Sequence, residues 1–117
     1  MLRRMLVALS ASLLAACAAD PAVSDVARVR VAKPLGSVQC SGGGVSVQEL
    51  AKQLGGGGVK VFASSCATDG RMHAAMCGAG DGRLGVLEIG AGDLKAAQAL
   101  GFKPLDDWRG AAAVPCR

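Results

Sequence analysis

From Arg28 to Ala32 the chain alternates polar and apolar residues, the period of a strand with one buried face, and Pro34 ends or bends it. Cys40-Ser-Gly-Gly-Gly44 is turn-like. Ser46-Val-Gln-Glu49 then has the spacing of a capping box, with Val45 and Leu50 placed as a hydrophobic staple. Val47, Leu50, Ala51 and Leu54 recur at i, i+3, i+4 and i+7, so this helix has one apolar face, and Gly55 opens a four-glycine exit. Val59 to Ala63 alternates again. Asp69-Gly70 and Asp81-Gly82 both read as two-residue hairpin turns, because Gly accepts the positive φ that such turns need. They divide the middle of the chain into strands at about 59–67, 71–79 and 83–89. In the second of these, Met72, Ala74 and Met76 share one side and Arg71, His73 and Ala75 the other. Asp93 opens a second helix carrying Leu94, Ala97 and Leu100. Gly101, Phe102 and Pro104 supply its stop signal. Leu105 to Arg117 has no clear period and is expected to lie along the domain, pinned by Trp108 and Cys116.

The predicted order is therefore β-α-β-β-β-α. The natural architecture for it is a small α+β sandwich, a mainly antiparallel sheet with two helices on one face. Residues 28–117 form this single domain. Its cysteines, Cys40, Cys66, Cys77 and Cys116, are even in number and read as two disulfides with three possible connectivities. The order favours one of them. If the first two strands are parallel and joined by the first helix, Cys40 and Cys66 end at the same edge. A third strand running back would carry Cys77 to the opposite edge, where the second helix delivers Cys116. The expected pairs are Cys40–Cys66 and Cys77–Cys116. A tight turn at Asp69-Gly70 would set His73, not Cys77, opposite Cys66, and leave those two cysteines about 13 Å out of register.

Composition adds an address. The chain has 117 residues, is 51% hydrophobic and 19% charged, and contains one Trp, two Phe and no Tyr. That excludes a disordered acidic tail, and no apolar run reaches the roughly 18 residues of a spanning helix. At the N-terminus Arg3 and Arg4 precede an apolar stretch from Met5 to Leu14, then the small residues Ala15 and Ala16, then Cys17. These are the parts of a secretory signal. Leu14-Ala15-Ala16-Cys17 resembles the lipobox of bacterial lipoproteins. The resemblance implies that residues 1–16 are a signal peptide and that Cys17 is diacylated and becomes the new N-terminus. Several acyl chains at about 0.8 kcal/mol per buried methylene would hold the protein on a membrane almost permanently. Ala18, rather than Asp, follows the cysteine, which implies sorting to the outer membrane, facing the periplasm. Residues 17–27 would be the lipidated cysteine and its tether, whose last ten residues reach at most about 35 Å.

Loss of residues 1–16 takes Arg3 and Arg4 with it, and the formal charge falls from +4 to +2. The remaining charges are interleaved, with no run of five or more Lys/Arg, so no nucleic-acid partner is expected. The order from Val45 to Leu100 resembles the double-stranded-RNA-binding domain in element order alone. Its basic helix-start motif is missing at Gly92-Asp93-Leu94, where an acid stands, and the secretory address contradicts it.

Signs of chemistry are few. The chain lacks G-x-S-x-G, H-E-x-x-H and a phosphate loop ending in Gly-Lys-Ser/Thr. Of its two glutamates, Glu49 is committed to capping and Glu88 has no acidic partner in the pattern. No catalytic set, metal site or cofactor is expected. Without C-x-x-C spacing, a zinc knuckle or redox motif is not indicated. Gly42–Gly44 precedes a helix, where backbone amides can hold an anion, but no basic side chain follows within the motif. Trp108 with Arg109 is a candidate binding pair, because an exposed Trp beside charges can anchor a partner; the same Trp could instead plug the core under the tail. The expected protein is a non-catalytic interaction or structural module held to the membrane by its acyl chains, with an envelope protein or peptidoglycan as partner. The alternative is a small periplasmic enzyme or thiol-active protein using Cys66, Cys77 and His73, since a neighbouring imidazole activates a thiolate.

Overall fold

The computed structural model describes residues 27–117. Strand β1 (Arg28–Pro34) leads through a loop to helix α1 (Val47–Gly56), then to β2 (Val61–Thr68) and β3 (Arg83–Gly90). A 3-10 turn at Ala91–Asp93 opens helix α2 (Leu94–Ala99). Two short strands, β4 (Lys103–Pro104) and β5 (Ala112–Val114), follow, with a 3-10 turn at Leu105–Asp107 between them. The five strands form one antiparallel sheet in the order β4-β1-β3-β2-β5. The α+β class, two helices, an antiparallel sheet and two disulfides all agree with the sequence pattern.

The capping box forms at its first position, where Ser46 Oγ accepts from the Glu49 amide at 3.1 Å. The apolar stripe of α1 then buries Val47, Leu50 and Leu54 against the sheet. Ala97 of α2 joins them, with Leu94 and Leu100 alongside, so both helices cover the same face over Val31, Cys66, Leu87 and Ile89. Phe102 is the largest buried side chain of this core. Gly85 of β3 is what lets α1 come so close. A Cβ there would stand 2.6 Å from Leu50 Cδ1 and 3.3 Å from Val47 Cγ2.

The other face is covered by the tail. β4 pairs with β1 at one edge of the sheet and β5 with β2 at the opposite edge. The segment between them therefore crosses the sheet as a strap. Leu105 and Trp108 of the strap pack on Ala32, Ala67, Leu84 and Val86. Leu105 to Arg117, which has no period in the sequence, thus supplies a 3-10 turn, a strand and most of the second cover.

Two expectations are corrected. Residues 71–79 are not a strand. β2 pairs directly with β3 from Thr68↔Arg83 to Val61↔Ile89, and β3 is filled on its other side by β1. With both edges of β3 taken, the intervening residues have no strand to pair with and form one long loop. The disulfides are Cys40–Cys77 and Cys66–Cys116, not Cys40–Cys66 and Cys77–Cys116. Because 71–79 does not run back along the sheet, Cys77 stays at the end where β1 delivers Cys40. Because β5 lies beside β2, with Cys66 opposite Val114, Cys116 arrives two residues beyond that partner.

Candidate functional site

The loop between β2 and β3 is closed at its neck by its two Asp-Gly steps. The Asp69 amide donates to the Gly82 carbonyl at 2.8 Å, and Gly70 and Gly82 adopt φ of +75° and +73°. Instead of making two hairpins, the steps stand opposite each other across one loop. Each aspartate caps its own turn: Asp69 Oδ1 accepts from the Arg71 amide at 2.9 Å, and Asp81 Oδ1 from the Arg83 amide at 3.0 Å. The far side of the loop is tied to the segment after β1. The Gln39 amide donates to the Ala79 carbonyl at 2.8 Å, the Gly78 amide donates to the Gln39 carbonyl at 3.2 Å, and Cys40–Cys77 closes the join.

Inside the neck the His73 ring rests on Asp69, with Nε2 2.8 Å from Oδ2 and 2.9 Å from Oδ1. The ring packs over Gly82, where a Cβ would lie 2.6 Å from His73 Cδ2. Asp69 is only 8% exposed. Burial pushes its carboxyl up, but the Arg71 amide, the hydrogen bond and charge of His73 and the charge of Arg71 outweigh it and hold the group below the usual Asp range. On either side of His73 the chain is exposed. Met72 is fully exposed and Met76 is 65% exposed.

A cleft of about 360 Å³ lies beside this loop, between the glycines 42–44, the start of α1 and the C-terminus. Ser37, Ser46, Gln48, Asp81, Arg83 and Arg117 are its polar lining. Ser37 Oγ donates to Asp81 Oδ1 at 2.8 Å, while Asp81 Oδ2 is buried without a hydrogen-bond partner. Burial again pushes this carboxyl up, and Ser37, the Arg83 amide and the charges of Arg83 and Arg117 outweigh it, so Asp81 also sits low. The cleft thus carries both a helix N-terminus with two guanidinium groups and an ionised carboxylate.

Trp108 stands on the strap, with Lys103 Nζ 4.2 Å from its ring centroid and its Nε1 buried without a partner. Arg109 beside it is exposed. Cys66 is buried in the helix-side core, paired across the sheet with Gly85 and Val114, whereas His73 sits in the loop on Asp69. Cys77 is in the disulfide with Cys40. Cys17 and residues 1–16, the expected signal peptide, lie outside the described residues. Among the described residues no helix is long and apolar enough to cross a membrane, and no group of three His, Cys, Asp or Glu side chains is gathered as a metal site.

Sequence reasoning did not find the Asp69–His73 pair. Its only signal was the four-residue spacing across a glycine turn, which the strand assignment for 71–79 concealed by placing His73 in a ladder. The chain matches no family model, no curated protein and no solved structure.

Proposed function

We propose that this protein is a lipid-anchored bacterial envelope protein whose disulfide-stapled domain works as a non-catalytic interaction module. The observation that carries the reading is the use of cysteine. Four of the five are consumed in two disulfides, and the fifth, Cys17, stands at the end of Leu14-Ala15-Ala16. Disulfides persist in oxidising compartments, which suits an exported domain. On this reading the domain hangs from the outer membrane on a tether of at most about 35 Å, with Ala18 after the cysteine as its sorting signal.

The topology gives such a module a direction. The tether joins at Arg28, where β1 begins. The loops after β1 and β2, with the polar cleft and the Asp69–His73 neck, lie at the other end of those strands. A domain held at Arg28 offers this loop end to the periplasm, where an envelope protein or peptidoglycan would meet it.

The experiment is an intact mass of detergent-extracted protein, treated with a thiol alkylator before and after reduction. A mass of residues 17–117 plus acyl chains, with four thiols appearing only on reduction, is the expected result. A chain that keeps residues 1–16, or an unmodified Cys17, would sink the anchor. A thiol reactive in the unreduced protein would move the reading toward thiol chemistry.

A further inference from the structure

The loop between β2 and β3 holds a donor set that the fold does not use for packing. Met72 and Met76 are the only methionines among the described residues, and both thioethers face solvent, Met72 completely. Burying a methionine is worth about 1.5–3 kcal/mol, so the domain forgoes that gain twice within five residues. Between the two lies His73. Its Nε2 is taken by the Asp69 carboxylate, while Nδ1 has no hydrogen-bond partner among the described residues. With Nε2 donating to Asp69, the neutral ring leaves the lone pair on Nδ1 available. A carboxylate on the far nitrogen is the usual outer-shell arrangement of a metal-binding histidine, because it fixes the tautomer and the ring orientation.

We propose that Met72, His73 and Met76 form a site for a soft monovalent cation, Cu(I), bound by two thioether sulfurs and the His73 imidazole. Thioether sulfur is a soft, uncharged ligand that favours Cu(I) over Zn(II), Mg(II) or Ca(II). The four cysteines of the domain cannot compete as thiolates, since all are in disulfides. Both ends of the short segment are held: Asp69 fixes His73 on one side and Cys40 fixes Cys77 on the other, which leaves only Ala74, Ala75 and Met76 between the fixed points. Ala74 and Ala75 add no bulk around the donors. The Met76 amide donates to the Ala74 carbonyl at 2.8 Å, so the chain reverses tightly just before the second thioether. The same methionines would not serve as a membrane wedge on a tethered domain, because Arg28 lies at the other end of the strands. The site stands whether or not Cys17 is acylated.

The test uses Ag(I), which has the ligand preferences of Cu(I) without needing a reductant that would open the disulfides. The full chain, isolated from cells and shown to have no free thiol, is titrated with silver nitrate. Calorimetry and native mass spectrometry give the stoichiometry, and the methionine methyl resonances report the ligands. One Ag(I) is expected to bind, with the Met72 and Met76 methyl signals shifting together. M72L/M76L should abolish that equivalent, and Asp69→Asn should weaken it by about 10- to 100-fold through the imidazole. The leucine variants keep size and polarity at exposed positions, so they test the sulfurs and not the fold. Silver bound by any other methionine would remain in both samples. Equal binding by M72L/M76L, or binding that leaves either methyl signal unmoved, overturns the site.

Discussion

The imidazole of His73 lies on the carboxylate of Asp69, four residues earlier, with Nε2 within 2.9 Å of both oxygens. That contact, with the Asp69 amide on the Gly82 carbonyl, converts fourteen residues of Gly-rich and Ala-rich chain from Asp69 to Gly82 into a loop with a fixed neck. Asp69→Asn keeps the size of the side chain but removes its charge. It should cost about 1–3 kcal/mol, because a buried donor or acceptor loses its match. The denaturant midpoint measures the loss. Amide exchange should accelerate first at Arg71 and His73, and an unchanged exchange pattern would show that the pair does not hold the loop.

Acid should loosen the same end of the molecule. Asp69 and Asp81 both titrate below the usual Asp range in the folded protein. Depressed folded values mean that their contribution is complete above the unfolded value of about 3.9 and is lost as pH falls through the folded values. Stability should therefore be flat from neutral pH down to about pH 5 on account of these groups and fall below about 4. In D69N/D81N, urea midpoints between pH 2 and 6 should vary less with pH than in the parent. Parallel curves would refute the assignment.

Trp108 is a cover for the second face of the sheet. Trp108→Ala would expose Ala32, Ala67, Leu84 and Val86 beneath the strap and should cost about 2–4 kcal/mol, somewhat under the value for a fully buried Trp. Trp108→Phe keeps much of the ring and removes the unpartnered Nε1, so it should stay within about 1 kcal/mol of the parent. Thermal melts of the two variants separate packing from polarity. If both lose equally, ring size and not cover is what matters.

The two glycine constraints differ in kind. Gly70→Ala places a side chain at φ +75° against the backbone carbonyl of Arg109 and 2.5 Å from the Gly110 carbonyl carbon, where nothing flexible can yield. Gly85→Ala meets the ends of Leu50 and Leu35, which can turn. Gly85→Ala should cost about 1–3 kcal/mol as overpacking. Gly70→Ala should cost more and should also free the strap, seen as faster amide exchange at Ala111 to Val114.

Cys40 and Cys77 are both exposed, whereas the other disulfide joins an exposed Cys116 to Cys66, which is 3% exposed within the core. Mild reductant should therefore open Cys40–Cys77 first, since both of its halves are open to an attacking thiolate and the other bond is open only from the Cys116 side. Loops closed over 37 and 50 residues each stabilise by about 3–4 kcal/mol in the chain-entropy account. Differential alkylation with peptide mapping gives the order. Earlier labelling of Cys66 and Cys116 would contradict it.

Local pattern alone determined the elements whose burial is decided by their own period. α1 is legible because Ser46, Val47, Leu50 and Leu54 satisfy cap and stripe together. β1, β2 and β3 are legible because their apolar runs end at Gly, Pro and Asp. Segment 71–79 also alternates, yet a strand needs a free ladder edge as well as a period. Only the tertiary structure decided that β1 and β2 would occupy both edges of β3. The same pairing decided the disulfides, since which cysteines meet depends on which strands are neighbours. It left Met72 and Met76 in solvent, and it turned the chain after α2 into two edge strands and the cover between them. A short edge strand is held by the backbone it pairs with, and no side-chain period in Lys103–Pro104 or Ala112–Val114 records that partner.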